Sequence, residues 1–363
     1  MKNSVRCFLV ALLLVASAAA QYKQALPGYS YEFPRDHFSH PDYRTEWWYY
    51  TGNLKSAGGR RFGFELTFFR LGTSRQPLRN INWGVQDLYL AHFAVSDIDA
   101  QKFYYIERVN RAGPGIAGIS QQAGRVWNGN WQVQSVNNAQ QLQAIVQDFS
   151  IRLTLRSDKP PVIHGQHGVS QKGAGTGHAS HYISLTRLIT AGTVEVGGKS
   201  YDVQGASWMD HEFSTDSLAS GEVGWDWLSI QLNDNTELML YRLRHKDGTT
   251  DPYSSGTYID SEGRTRFLGV RDFTMQALDE VWKSPRSGAR YPTAWRVTVP
   301  ALTLDLQIGT PMQAQELAGK TRLSPSYWEG AVDVSGGRGA SPISGAGYLE
   351  MTGYDRPLEF SAK

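Results

Sequence analysis

The run GASWMDHEF, residues 205 to 213, sets a tryptophan, an aspartate, a histidine and a glutamate close together. On an extended strand alternate side chains share a face. Trp208, Asp210 and Glu212 then point one way, and Met209, His211 and Phe213 the other. A carboxyl group beside an indole in apolar surroundings is harder to ionise, so its pKa rises. Asp210 held that way keeps its proton near neutral pH and can serve as a general acid. Aromatic faces next to it would stabilise developing positive charge. Trp47, Trp48, Tyr49 and Tyr50, in TEWWYYTGNL at 45 to 54, join Trp208 as candidates for that wall. His211 and Glu212 stand beside them as ligand-binding candidates. The same rings also read as plain core. Asp210, His211 and Glu212 likewise read as a structural network pairing Arg44 or Arg187.

Two more segments carry ionisable groups. FPRDHFSHPDYRTEWWY, starting at 33, leads into the aromatic run and holds Arg44 and Glu46. These two either line an entrance and orient a polar ligand head, or form ion-paired caps. His164, His167, His178 and His181 lie close together in HGQHGVSQKGAGTGHASH. Converged by a loop they would suit zinc or iron, but the same stretch reads as a Gly-rich mobile loop. No metal or other cofactor is assigned. The chain has no G-x-S-x-G elbow and no P-loop or dinucleotide fingerprint. GGRGASPISGAG, 336 to 347, has no helix after it to cradle a phosphate.

These residues must be positioned by strands. Eleven Trp, 18 Tyr and 37 Gly indicate a β-rich chain with many tight turns. RFGFELTFFR, LYLAHFAVSD, KFYYIERV, FSIRLTLRS and HYISLTRLI alternate, with turn residues between them. Helical signals are confined to Ser214–Ser220 and Gln313–Ala318. Net charge is +2 with scattered basic residues, which argues against a nucleic-acid surface.

The strands repeat in order. WWYYTGNL (47 to 54) parallels WDWLSIQL (225 to 232), and the strands after them also correspond. FAVSDIDAQKFYYIERV at 93 parallels TYIDSEGRTRFLGV at 257, and WQVQSV at 131 parallels WRVTVP at 295. IRLTLRSDKPP at 151 parallels LTLDLQIGTPM at 302, and SHYISLTRL at 180 parallels SYWEGAVDV at 326. QGASWMDHEF at 204 parallels SGAGYLEMTG at 344. The chain therefore reads as two copies of one antiparallel β unit, 21–218 and 219–363. Insertions at 72–84, 110–126 and 157–180 fall in the first copy, which is expected to hold the chemistry.

Residues 1–20 read as a secretory signal peptide. Lys2 and Arg6 precede an apolar run from Cys7 to Val15, and SAAAQ supplies a cleavage position after Ala20. The expected location is periplasmic or secreted. Cys7 is the single cysteine, so the mature chain has no disulfide, thiolate or zinc–cysteine chemistry. It also has no further run suited to a membrane span.

FPRDHFSHPDYRTEWWYYTGNL, SHYISLTRL, GASWMDHEF, GWDWLSIQL and YWEGAVDVSG together resemble the AttH-like/CrtC-like lipocalin-type family. The resemblance runs from about Phe33 to Tyr354. It implies an all-β fold of two tandem lipocalin-like antiparallel β-barrels packed against each other. The family includes carotenoid 1,2-hydratases, which add water to a terminal alkene, and fungal pericyclases that fold a polyene. Some secreted members are labelled hydrolases, and some are encoded beside transporters. The leader sets this chain apart from the carotenoid enzymes. The resemblance to the hydratases places the proton donor at Asp210 and a helper at His181. In the second copy Glu350 stands at the Asp210 position and Tyr327 near the His181 position. Expected partners are an apolar or amphipathic small molecule, of isoprenoid, polyene or lipid-like type, and transporter components. The protein would hydrate or isomerise that molecule, or carry it without catalysis; a purely structural role is the third reading.

Overall fold

The computed structural model describes residues 21–73, 85–113, 115–215, 221–319 and 325–358. The leader, most of the 72–84 insertion and the boundary at 218/219 lie outside the described residues, as does most of the candidate helix Ser214–Ser220. The first copy contributes β1 (Thr45–Ser56), β2 (Arg61–Gly72), β3 (Asp87–Asp97), β4 (Lys102–Arg111), β5 (Ala117–Ser120), β6 (Arg125–Asn128), β7 (Trp131–Val136) and β8 (Ala139–Ile145). It continues with β9 (Phe149–Ser157), β10 (Val162–Ile163), β11 (Ser170–Gln171), β12 (Ala179–Val196) and β13 (Lys199–Ser214). The second contributes β14 (Glu222–Leu232), β15 (Glu237–His245), β16 (Ser255–Ile259), β17 (Thr265–Gly269), β18 (Thr274–Ala277), β19 (Val281–Lys283) and β20 (Arg290–Pro292). β21 (Ala294–Val299), β22 (Leu304–Gly309), β23 (Glu316–Leu317), β24 (Tyr327–Arg338) and β25 (Ser341–Thr352) complete it. Helical structure among the described residues is confined to 3₁₀ turns at Arg35–His37 and Pro300–Leu302. The expected helix at Gln313–Ala318 is instead irregular chain around β23, which pairs with β24. No described helix is long and apolar enough to cross a membrane.

The first sheet runs β4-β3-β2-β1-β13-β12-β9-β8-β7-β6-β5 and curls into a nearly closed barrel. The second runs β17-β16-β15-β14-β25-β24-β22-β21-β18 and forms a half-barrel. The two orders superpose strand for strand around β1 and β14, so the duplication read from the sequence is a duplication of topology. One correspondence needs correction. β21, carrying WRVTVP, lies beside β22 as β8 lies beside β9, so WQVQSV on β7 has β18 as its counterpart. Trp131 and Trp295 are both fully buried, and a large ring at the start of a strand suits either position. β5 and β6, built largely from the 110–126 insertion, carry the first sheet round towards β4. The second copy has no such pair and stays open.

Backbone strain records the same duplication. Gly192 on β12 has φ +153° and Gly336 on β24 has φ +157°. A Cβ on either would stand 2.1 Å from a carbonyl oxygen, of Arg152 or Asp305 respectively. Both long strands bend at a point where no side chain fits.

Strand alternation divides the opening aromatic run. Trp48 and Tyr50 enter the core of the first barrel with Phe62, Phe64, Phe68 and Trp131. Tyr49, with Trp47 against it, faces the second copy and packs with Tyr182, Trp208, Trp227 and Tyr348. Trp48 and Tyr50 are 1% and 2% exposed, so they fill the barrel and do not wall an open cavity. Side chains from neighbouring strands occupy that space.

A buried ionic clamp also joins the copies. Glu237 of the second takes Lys159 at 2.8 Å and Arg187 at 2.6 Å from the first. Lys159 donates further to the carbonyls of Asn235 and Asp260. Glu237→Leu leaves both cations without their carboxylate and is expected to cost about 3–5 kcal/mol. Urea unfolding measures it, and a loss below about 1 kcal/mol would show that the clamp does not hold the copies together.

Candidate active site

The face of β13 that carries Trp208, Asp210 and Glu212 looks at the second copy. It does not line the barrel interior; Met209, on the opposite face, does. In register Asp210 sits between Tyr49 on β1 and Ser184 on β12. Glu350 sits in the matching place, between Trp227 on β14 and Glu329 on β24. The duplicated strands thus bring their carboxylates to one seam.

Asp210 is held by donors from three directions. Tyr182 donates to Oδ2 at 2.5 Å and Trp208 Nε1 to Oδ1 at 2.6 Å, and the Ser184 hydroxyl also donates to Oδ1. Trp227 of the second copy donates to the Tyr182 oxygen at 2.9 Å. His164 Nε2 lies 2.6 Å from Ser184 Oγ, and its Nδ1 lies 2.8 Å from Thr257 Oγ1. Ser184 gives its one proton to Asp210, so His164 must donate from Nε2 and accept from Thr257 at Nδ1. Burial pulls the His164 pKa down to about 3, in keeping with a neutral ring. A chain of bonds therefore runs from Thr257 through His164 and Ser184 to Asp210.

Other carboxyls share the seam. Tyr49 donates to Glu329 at 2.5 Å, and Trp225 Nε1 donates to Glu350 at 3.0 Å. Glu65 on β2 accepts from Thr67 at 2.7 Å and from Tyr327 at 3.2 Å. The Tyr327 oxygen lies 2.7 Å from His92 Nδ1. Burial pushes Asp210 and Glu65 up to about 7 against these donors, and Glu350 up to about 8. Glu329 is raised well above the carboxylate range by burial and by the charges of Glu350 and Glu65. Glu65 Oε2, Glu329 Oε2 and His92 Nε2 are buried and find no hydrogen-bond partner among the described residues. Buried polar atoms are seldom left so, and each of these could take a hydrogen bond from a polar group outside the chain.

The sequence-derived candidates do not gather into a single site. Trp47, Tyr49, Trp208, Asp210 and Glu212 come together at the seam, where Glu212 pairs Lys172 at 3.5 Å. Trp48 and Tyr50 belong to the barrel core. His181 does not meet Asp210. It lies on the opposite face of β12 from Tyr182 and Ser184, among Tyr29, Tyr43 and Phe213, with Nδ1 3.0 Å from the Gly168 carbonyl. His164 supplies the imidazole of the Asp210 network in its place. Glu46 and His211 bond each other at the end of the barrel, at 3.0 Å, away from the seam side of β13. Arg44 is half-buried, and its carbonyl accepts from the Gly72 amide. Arg187 pairs Glu237 and not Asp210, so the expected Asp210–arginine network does not form. The four histidines from 164 to 181 do not converge either: His164 and His181 bond the separate partners just named, and His167 is exposed. Glu65, Glu329, His92 and Tyr327 were missed as site residues. Their signal was a lone ionisable group on an otherwise apolar strand, as in RFGFELTFF.

The seam is tightly closed. Beside Trp208, lined by Thr51, Gly52, Ser229, Gly347 and Tyr348, lies a gap of about 10 Å³, about room for one water. An open cleft of about 930 Å³ runs along Phe103, Tyr105, Glu107, Asp148 and Arg286, and its lining includes none of the seam carboxyls.

A nearly closed barrel facing a half-barrel of the same strand order, with a polar seam between them, defines a tandem lipocalin-like protein. The chain belongs to the AttH-like family, whose model matches residues 24–354. The crystal structure of an AttH-type protein from Nitrosomonas europaea is similar at 31% identity and TM-score 0.82, covering 92% of this chain and 99% of that one. Kievitone hydratase from Nectria haematococca matches at 15% identity and TM-score 0.70, over 93% and 98%. CghA with Sch210972 matches at 12% identity and TM-score 0.56, over 93% and 97%. At these identities the last two share the fold. No curated protein matches the sequence significantly.

The raised carboxyl pKa values set the pH dependence of stability. A carboxyl whose folded pKa lies above its unfolded value stabilises the fold fully below the unfolded value. That contribution is lost as pH rises through the folded value. Asp210, Glu65 and Glu350 therefore lower stability between about pH 4 and pH 8. Up to about pH 6.5 the buried His164 and His92, with pKa values pulled down to about 3 and about 4, act in the opposite sense, so the net fall belongs to about pH 6.5–8. Glu350→Gln keeps an acceptor for Trp225 and removes the ionisation. It should flatten part of this slope and stabilise the protein at pH 8 by on the order of 1–2 kcal/mol. Thermal melts of both proteins from pH 5 to pH 8 measure the effect; parallel curves would contradict it.

Proposed function

We propose that the protein takes an apolar or amphipathic small molecule, of isoprenoid, polyene or lipid-like type, into the seam between its two copies. There the molecule undergoes acid-assisted hydration or isomerisation. The observation that carries this reading is Asp210, fully buried with a pKa near 7 and set among Trp208, Tyr182, Tyr49 and Trp227. An acid with that pKa is present in both forms at neutral pH, as proton transfer to and from carbon requires.

In hydration, the Asp210 carboxyl gives its proton to one alkene carbon and the other becomes a carbocation. Water adds its oxygen to that carbon, and the proton it sheds returns to a seam carboxylate. Trp208 and Trp227, with ring centroids 6.3 Å apart, offer π faces to the cation. In isomerisation the cation loses a different proton, and no water adds. With room for about one water, the seam must part to admit a substrate. The fold shared with a hydratase fits this reading. The basic, apolar and small-residue pattern of residues 1–20 supports a periplasmic or secreted location, where transporter components would be the partners.

The test begins with native mass spectrometry of protein purified from its own cell envelope, followed by solvent extraction of the bound molecule. That molecule is then incubated with wild type and Asp210→Asn in H₂¹⁸O and in D₂O. Label uptake by wild type should fall at least ~100-fold in the variant while binding persists. The wild-type rate should decline as pH rises past about 7, as the acid loses its proton. Equal binding with no turnover by wild type would make the protein a carrier.

A further inference from the structure

The segment before β1 crosses one end of the first barrel and brings His40 against Glu46, the second residue of β1, and His211 of β13. Glu46 Oε1 lies 2.8 Å from His40 Nδ1 and 3.0 Å from His211 Nε2. The three atoms all lie within 4.8 Å of one another. Glu46 and His211 are fully buried, and the His40 side chain is 10% exposed. Both rings are held flat against aromatic neighbours. His40 stacks on Phe213 with centroids 3.6 Å apart, and His211 stacks on Trp48 at 4.7 Å.

The outer nitrogens decide what the inner ones can do. His211 Nδ1 lies 2.9 Å from the backbone carbonyl of Asp36, which can only accept, so Nδ1 carries a hydrogen. His40 Nε2 lies 3.1 Å from Asp36 Oδ1. Asp36 already accepts from Arg35 Nε at 2.8 Å and Tyr29 at 3.1 Å on Oδ1, and from the Glu32 N–H at 2.7 Å on Oδ2. Asp36 is therefore an acceptor too, and His40 Nε2 carries a hydrogen. In their neutral forms the two rings turn bare lone pairs, from Nδ1 and Nε2, towards one oxygen of Glu46. That oxygen is also an acceptor. Its partner oxygen, Glu46 Oε2, takes bonds from Arg70 Nε at 3.1 Å and from the His40 backbone N–H at 3.0 Å. Glu46 Oε1 also takes the His40 backbone N–H at 2.9 Å, but no donor among the described residues stands between it and the two ring nitrogens, and a cation placed among the three would satisfy all of them.

We propose that His40 Nδ1, Glu46 Oε1 and His211 Nε2 bind one divalent first-row transition-metal ion of the zinc class. Two imidazoles and a carboxylate favour such an ion over calcium or magnesium, which take oxygen ligands. Each histidine passes its other N–H to a carboxylate or a backbone carbonyl, the outer arrangement that orients metal-bound imidazoles. The remaining charges balance locally. Arg70 bonds Glu46 Oε2 at 3.1 Å and Asp87 at 3.0 Å, and Arg35 bonds Asp36 at 2.8 Å. The ion ties the segment before β1 to β13, one residue from Asp210 and on the opposite face.

The test uses full-length mature protein purified without a metal-affinity step. Elemental analysis, then chelation and titration with Zn(II) or Co(II) alone, should give about one ion per chain. Zn(II) should raise the melting temperature, and Co(II) should produce a visible d–d band. His40→Ala and His211→Ala should each weaken binding at least ~10-fold, with circular dichroism confirming that the strands are retained. Should either variant fail to fold, titration of the chelated wild type still decides. A folded, chelated wild type that binds neither ion at micromolar concentration, with an unchanged melting temperature, overturns the proposal and leaves protons as the cation. Undiminished binding in both variants also overturns it, because the ion then sits elsewhere.

Discussion

Carboxyl groups from two copies of one β unit are buried together in a seam with little room for water. Their charges repel strongly in such a medium, so they cannot all ionise. Protons are retained there, and the carboxyls depend on donors supplied by their surroundings. Several of these donors cross between copies: Tyr49 bonds Glu329, Trp227 bonds Tyr182, and His92 meets Tyr327. Polar satisfaction of the seam and relative placement of the two sheets are therefore one problem. The apolar cluster of Tyr49, Tyr182, Trp208, Trp227 and Tyr348 surrounds these bonds and keeps their dielectric low.

The duplication has diverged where chemistry would need it to. Asp210 pairs in register with Ser184, whereas its counterpart Glu350 pairs with Glu329. One side of the seam thus offers a carboxylate with a hydroxyl–imidazole chain behind it, and the other a pair of carboxylates. Strand order, bend glycines and long hairpins are kept alike. A scaffold can hold its backbone constant while the side chains on one face are rewritten, because successive residues belong to different faces.

β13 shows how much rests on that alternation. Asp210 points into the seam, and the next residue, His211, points to the end of the barrel and meets Glu46. A slip of one residue would exchange the two environments. Trp48 against His211 and Phe213 against His40 fix the barrel-side face, and Ser184, Tyr182 and Trp208 fix the seam face. The segment before β1 thereby helps to set the register on which the Asp210 environment depends.

Strand period, order and duplication were legible in the chain, because alternation and turn residues are local properties. The family was legible in EWWY and W-x-D-H-E, and the grouping of Trp208, Asp210 and Glu212 on one face followed from period alone. Which side of the sheet that face looks toward was not legible, since a strand carries no mark of whether its neighbour is a barrel interior or a second sheet. Nor was the company Asp210 keeps. His181 is close in sequence to the residues that bond it and lies on the wrong face, while His164 reaches it through a loop. Glu65, Glu329 and Glu350 come from distant strands and become one site only when the two sheets close. Their shared environment, and the protons it retains, belong to the packing of the two copies and to no segment of the chain.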